Sequence, residues 1–330
     1  MRWYPWLNQD YKKIIRLLSR KKKCLSILFH SNSGLGSDLL IYAISRWMMC
    51  RKHFGIMICN KCRNCRMMLS GVHPDFYRLN TSEKGNSIGV EQIREINKVL
   101  HHHSNYNFVR IIWIRNIQYL TKEARYSLIK TLENFSEKKT YFFLESSQAI
   151  FNLSSLRSKC ILYSLKEPRN EVVIDWLNEN YNFPKKNIAI ATKLYSGSPL
   201  NILNLLEDQR WKNRKKFYFN FGKNVVCRGD LLSFFQEFKK RSDIEERIFF
   251  LVVLFLDVIK YQKDSIFYCI NQDEFDLIKC ISKKISTKKL LKIVENLEIL
   301  RKNLMRSSFI NLDLNIIIQL CNLQICFKES

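Results

Sequence analysis

Four cysteines, Cys50, Cys59, Cys62 and Cys65, follow one another as Cys-x8-Cys-x2-Cys-x2-Cys. Thiolates at this density match a structural zinc site, tetrahedral and closed, with no position left for a reactive water. Arg51, Lys61, Arg63 and Arg66 lie among the ligands and offset the charge of a tetrathiolate centre. An iron–sulfur cluster also uses Cys-x2-Cys-x2-Cys, but the proline that often follows its last cysteine is absent after Cys65. The chain has eleven cysteines, and the other seven are scattered, which predicts small core side chains.

A second constellation has the form of a nucleotide site without its chemistry. Residues 25–29 read as a strand, 30–38 as a loop and 39–46 as a helix, the order of a P-loop. A working P-loop ends in Gly-Lys-Ser/Thr; its amides cradle phosphate, its lysine neutralises it and its hydroxyl holds magnesium. Here Gly36 is followed by Ser37 in place of lysine and Asp38 in place of the hydroxyl, and Ser31 stands where the first glycine belongs. A carboxylate at a helix start opposes a phosphate. The strand at 109–114 is followed by Arg115 and Asn116, where a P-loop ATPase places its magnesium carboxylates, and a cation there opposes Mg²⁺. Both halves of the site are altered against binding, so no nucleotide cofactor is expected.

These residues need elements to hold them. Apolar periodicity predicts helices over 7–20, 39–50, 90–100 and 121–132, with Thr121 as an N-cap, and strands over 25–29, 76–79, 109–114 and 140–144. Strands alternate with helices to about residue 165, the pattern of a parallel sheet in an α/β domain. His73-Pro74-Asp75 closes the cysteine-bearing insert. Helices are then expected over 170–182, 185–195 and 199–207, and longer ones over 211–221, 229–240, 243–261, 271–285, 288–305 and 310–325. The expected class is α/β plus all-α. Residues 1–166 form a P-loop-like domain with an insert at about 50–75, 167–208 a small three-helix domain, and 209–330 a helical domain.

The longest apolar run, residues 248–256, is far below the ~18 residues that span a bilayer and reads as the central helix of the last domain. No membrane partner is expected. The N-terminal residues hold no apolar signal core, so the expected location is cytoplasmic. His101-His102-His103 reads as a solvated turn, since adjacent histidines cannot all face one metal. The formal net charge of +25 fits a nucleic-acid partner. The abundance of Lys, Asn, Ile, Phe and Tyr equally fits AT-rich codon usage.

Several stretches together resemble the clamp-loader subunits of bacterial DNA polymerase III, in the AAA+ family. They are residues 2–6, 40–46 running into the cysteines, 71–77, Lys130-Thr131-Leu132-Glu133, Leu156-Arg157-Ser158-Lys159-Cys160 and Ser196-Gly197-Ser198-Pro199. The resemblance spans residues 1–200. It implies an AAA+ core with a zinc insert, a helical lid and a helical oligomerisation collar. It also implies a non-hydrolysing stator in a hetero-pentameric ring with the motor subunit and delta. Such a ring opens the sliding clamp and loads it on primer-template DNA, as part of a DNA-directed DNA polymerase (nucleotidyltransferase) holoenzyme. The family's Ser-Arg-Cys finger, which reaches a neighbour's ATP, corresponds here to Ser158-Lys159-Cys160. Lys159 is therefore the finger candidate and Arg157 the second; alternation in an extended segment would point Arg157 elsewhere, whereas a local turn could bring it round. The Leu-Glu-Glu-Pro-Pro continuation reads Leu132-Glu133-Asn134-Phe135-Ser136. Two other readings compete: a stand-alone zinc-dependent basic nucleic-acid-binding protein, and an active P-loop ATPase.

Overall fold

A computed structural model describes residues 3–20, 25–80, 87–101, 109–135, 139–147, 154–228, 234–238, 243–304, 316–318 and 321–322. The chain divides into two compact units. One comprises 1–179 with 197–201, the other 180–196 with 202–330.

The first unit is built on a five-stranded, all-parallel sheet in the order β2-β3-β4-β1-β5. The strands are β1 (Ser26–His30), β2 (Phe76–Leu79), β3 (Arg110–Ile114), β4 (Thr140–Ser146) and β5 (Ile161–Ser164). Period-two alternation sends successive side chains to opposite faces. Ile27, Phe29, Ile111, Trp113 and Phe143 join one buried cluster with helices α1 (Asn8–Arg20) and α2 (Ser37–Met49). Leu28, Ile112, Ile114, Phe142 and Leu144 join the other, with α4 (Val90–His101) and α5 (Lys122–Phe135). Both faces are covered, so the strands read as continuous apolar runs. The Thr121 cap forms: its Oγ1 accepts from the Ala124 N–H at 3.2 Å. Between α2 and β2 lies the cysteine insert with a short helix, α3 (Arg63–Leu69).

Two local features are decided by the structure. Residues 161–164 form a fifth strand that the apolar pattern did not single out; β5 is an edge strand, half-buried over Ile161–Tyr163 and exposed at Ser164, with too little alternation to announce itself. For residues 154–160 the local turn is formed and the extended alternative is not. They make one helical turn, α6 (Ser154–Arg157), closed by Lys159 N–H donating to Leu156 O (3.1 Å) and Cys160 N–H to Arg157 O (3.4 Å). The side chains of Arg157 and Lys159 therefore do not alternate across a strand.

Helices α7 (Asn170–Asn180), α8 (Lys185–Leu194), α9 (Pro199–Leu206) and α10 (Asp208–Asn220) follow. The helix expected over 211–221 begins at Asp208 and runs on as π-helical turns through Phe221–Arg228. In the second unit the apolar run at 248–256 lies inside α11 (Ile244–Gln262), which packs against α12 (Phe275–Lys284) and α13 (Thr287–Leu304). A buried polar network ties this bundle together. Asp257, fully buried, accepts from the amides of Ile270 (3.0 Å) and Asn271 (2.8 Å), from Asn271 Nδ2 (2.9 Å) and from Lys260 Nζ (3.0 Å). Arg214 forks onto Asp273 at 2.7 and 3.0 Å beneath the rings of Trp211 and Tyr218.

Most of the helix expected over 310–325, His102, His103 and much of 229–240 lie outside the described residues. His101 is the exposed last residue of α4. Of the scattered cysteines, Cys269 is buried as expected, while Cys321 is exposed and no core residue. No helix among the described residues is long and apolar enough to cross a membrane.

Candidate functional site

The four expected metal ligands converge. Cys50 follows the last turn of α2, Cys59 lies on a loop, Cys62 N-caps α3 and Cys65 sits in its first turn. All four sulfurs lie within 4.8 Å of one another. The separations are 3.5 Å for Cys50–Cys59 and 3.9 Å for Cys59–Cys65. A zinc ion bound at ~2.3 Å in a tetrahedron places its sulfurs about 3.8 Å apart, so the cage fits the ion. Backbone amides complete the fit: Cys59 N–H donates to Cys50 Sγ, Cys62 N–H to Cys59 Sγ and Cys65 N–H to Cys62 Sγ, at 3.4–3.5 Å. The amides of Cys62 and Lys61 bring the Cys59 thiol down to about 6. Burial and the neighbouring sulfurs push Cys65 up. Four sulfurs this close could all be thiolates only with a cation among them, which a bound metal would supply.

The module is fastened to the domain by hydrogen bonds from side chains to backbone carbonyls in both directions. Tyr11 donates to Ile56 O and Trp47 Nε1 to Gly55 O, both at 2.9 Å. Asn64 Nδ2 donates to Met49 O at 2.9 Å and Tyr42 to Met68 O at 2.6 Å. Gly55 (φ +57°) makes the turn that pairs Phe54 with Met57.

The phosphate turn is present in outline and closed by its own chain. Gly36, at φ +83°, caps α2 and is buried; a Cβ there would meet the Tyr4 ring at 2.9 Å. Tyr4 stacks on Trp6 (5.0 Å between centroids, 1° between planes), and Trp6 Nε1 donates to Leu35 O at 2.9 Å. On the other side Asn201 packs against Gly34, and the Leu200 N–H donates to Gly34 O at 3.0 Å. Ser31 is buried, its amide donating to Ser146 O at 3.1 Å. Asp38 is exposed in the first turn of α2.

One residue that the sequence reading missed links the two altered motifs. Glu145, near the end of β4 and only 7% exposed, accepts from Ser37 Oγ at 2.6 Å and pairs with Arg115 Nε at 3.3 Å. Arg115 also lies over the Trp113 ring at 5.5 Å. Asn116 takes a left-handed conformation (φ +52°) and starts the next turn. The residues standing where lysine and a magnesium carboxylate would be are thus tied to each other through one carboxylate. No local motif announces Glu145; the parallel register Phe29↔Glu145 brings it beside the phosphate turn.

Lys159 and Arg157 are both exposed on the turn around α6. Lys159 Nζ pairs with Glu133 Oε1 at 2.8 Å.

Sheet order and cysteine module define an α/β domain with a five-stranded parallel sheet and a cysteine-bearing insert, followed in sequence by a helical region. The profile described as "DNA polymerase III, delta subunit" matches residues 6–169, and "DNA polymerase III, delta subunit, C terminal" matches 208–324. The DNA polymerase III subunit delta' of Yersinia pestis is 36% identical over 95% of this chain and 93% of its own length. That of Escherichia coli is 29% identical over 95% and 93%, and that of Buchnera aphidicola from Schizaphis graminum is 32% identical over 97% and 96%. The chain belongs to the delta-prime subunit family of DNA polymerase III, and so to a DNA polymerase complex.

Proposed function

We propose that this chain is the non-hydrolysing stator of the clamp-loader complex, which places the sliding clamp on primer-template DNA. Family membership supports the complex; the closed phosphate turn supports the stator role. The observation that supports it best is the Ser37–Glu145–Arg115 linkage, which joins the residues standing, on the resemblance, at the positions of the phosphate-binding lysine and a magnesium carboxylate. A γ-phosphate brought there would face Glu145 at short range with no lysine between them. In this reading the chain binds no nucleotide and works in the cytoplasm. The motor subunit and delta are its neighbours in a hetero-pentameric ring, and it meets clamp and DNA through that ring.

Cys50, Cys59, Cys62 and Cys65 hold one structural zinc, which cross-links the insert and takes no part in chemistry. Residues 1–166, 167–208 and 209–330 act as core, lid and oligomerisation collar.

Lys159 is the group that acts outward, on the γ-phosphate of a neighbour's ATP, with Arg157 beside it. Lysine keeps the charge of an arginine finger and loses the planar fork, so part of the electrostatic stabilisation persists and the bidentate geometry does not. Lys159→Ala is expected to lower the ATPase rate of the assembled complex with assembly unchanged, and Lys159→Arg to hold or raise it. Equal rates for all three proteins would remove Lys159 from the mechanism.

A further inference from the structure

Lys159 is tethered by a carboxylate whose position the fold fixes. Glu133 follows Leu132 on α5, Lys159 lies three residues past Leu156 of α6, and both leucines are buried in the same core cluster. The backbone at Lys159 is itself held by the bond to Leu156 O. The two charged side chains, 43% and 46% exposed, meet at 2.8 Å outside that anchored base. A cavity of about 280 Å³, lined by Ser26, Leu132, Ser158, Lys159 and Cys160 among others, opens beside them.

An arginine is oriented by its own planar fork, whereas a lysine carries a point charge on four rotatable methylenes. A lysine finger therefore needs an outside group to aim it. An ammonium has three donors. One is taken by Glu133 Oε1, and two remain for a phosphate approaching from the exposed side.

We infer that Glu133 is a positioning residue for Lys159, holding its ammonium in place for the γ-phosphate of a nucleoside triphosphate bound by the neighbouring subunit. The inference rests on the trans role proposed for Lys159. Glu133 does not touch the nucleotide; its effect passes through the lysine. A pre-oriented cation contributes more in the transition state than a freely rotating one, so the loss falls on turnover and not on nucleotide binding.

The test uses the full reconstituted complex with clamp and primed DNA, and compares wild type, Glu133→Gln, Lys159→Ala and the double variant. Glu133→Gln keeps size and hydrogen bonding and removes the charge. It is expected to lower kcat for ATP about threefold or more at unchanged KM, and to have no further effect in the Lys159→Ala background. In the Lys159→Arg background, where the fork orients itself, its effect should shrink. Gel filtration and thermal melting of each variant confirm that assembly and folding are intact. An unchanged or faster rate for Glu133→Gln, or effects of the two substitutions that multiply, would overturn the positioning role while leaving Lys159 in place. A Lys159→Ala complex as fast as wild type would instead overturn the trans reading, and the positioning role with it.

Discussion

Glu145 joins Ser37 and Arg115 into one network. Restoring the sequence motif alone should therefore not restore the site. In a Ser37→Lys, Asp38→Thr variant the new ammonium would meet Glu145 before it met a phosphate, and Tyr4 and Trp6 would still cover Gly36 and Leu35. We expect calorimetry on this variant to show no ATP binding tighter than about millimolar. A micromolar Kd would mean that the missing lysine and hydroxyl alone kept nucleotide out. At this scale the sequence was legible where a motif has fixed spacing. Ser37, Asp38, Arg115 and the four cysteines could each be singled out because their neighbours say what belongs there. Glu145 could not, and Glu133, although it stands in the Leu132-Glu133 stretch of the resemblance, gave no sign of its pairing with Lys159. Glu145 acquires its role from strand register and Glu133 from the packing of α5 against α6, and neither depends on neighbours in sequence.

The cysteine module has little regular structure of its own. Its loops carry Asn60 and Gly55 in left-handed conformations, and α3 has only seven residues, too short to persist alone. Cys62→Ser is expected to abolish zinc binding and lower the melting temperature by several degrees. Metal content and stability equal to wild type would refute the zinc assignment. In the second unit, burial beside Asp273 raises Glu274 to about 7, against the opposing pull of Arg214 and Lys215. A carboxyl whose folded pKa exceeds its unfolded value binds its proton more tightly in the native state. Its contribution is full below about 4.5 and is lost as pH rises towards 7. Glu274→Gln should therefore gain melting temperature relative to wild type as pH is raised from 4.5 to 8. A constant difference across that range would show that Glu274 titrates as it does unfolded. Elements with strong apolar periodicity, such as β3 and α11, could be placed from sequence to within a residue or two. The edge strand β5 and the turn at 154–160 could not, because four residues without apolar–polar alternation and a single helical turn leave no periodic trace.

For the whole molecule, the charge of +25 does not by itself choose between a DNA-binding chain and a biased composition. What discriminates is assembly. The complex should hold this chain as one subunit among others, with nucleotide on its neighbours and a metal in its insert. The most direct measurement is native mass spectrometry of the clamp-loader complex purified from the same cell, followed by gentle dissociation of its subunits. The account predicts a five-subunit assembly containing a single copy of this chain, which leaves the complex carrying one zinc and no nucleotide. Recovery of the chain apart from the other subunits, or with ATP bound to it, would contradict the account.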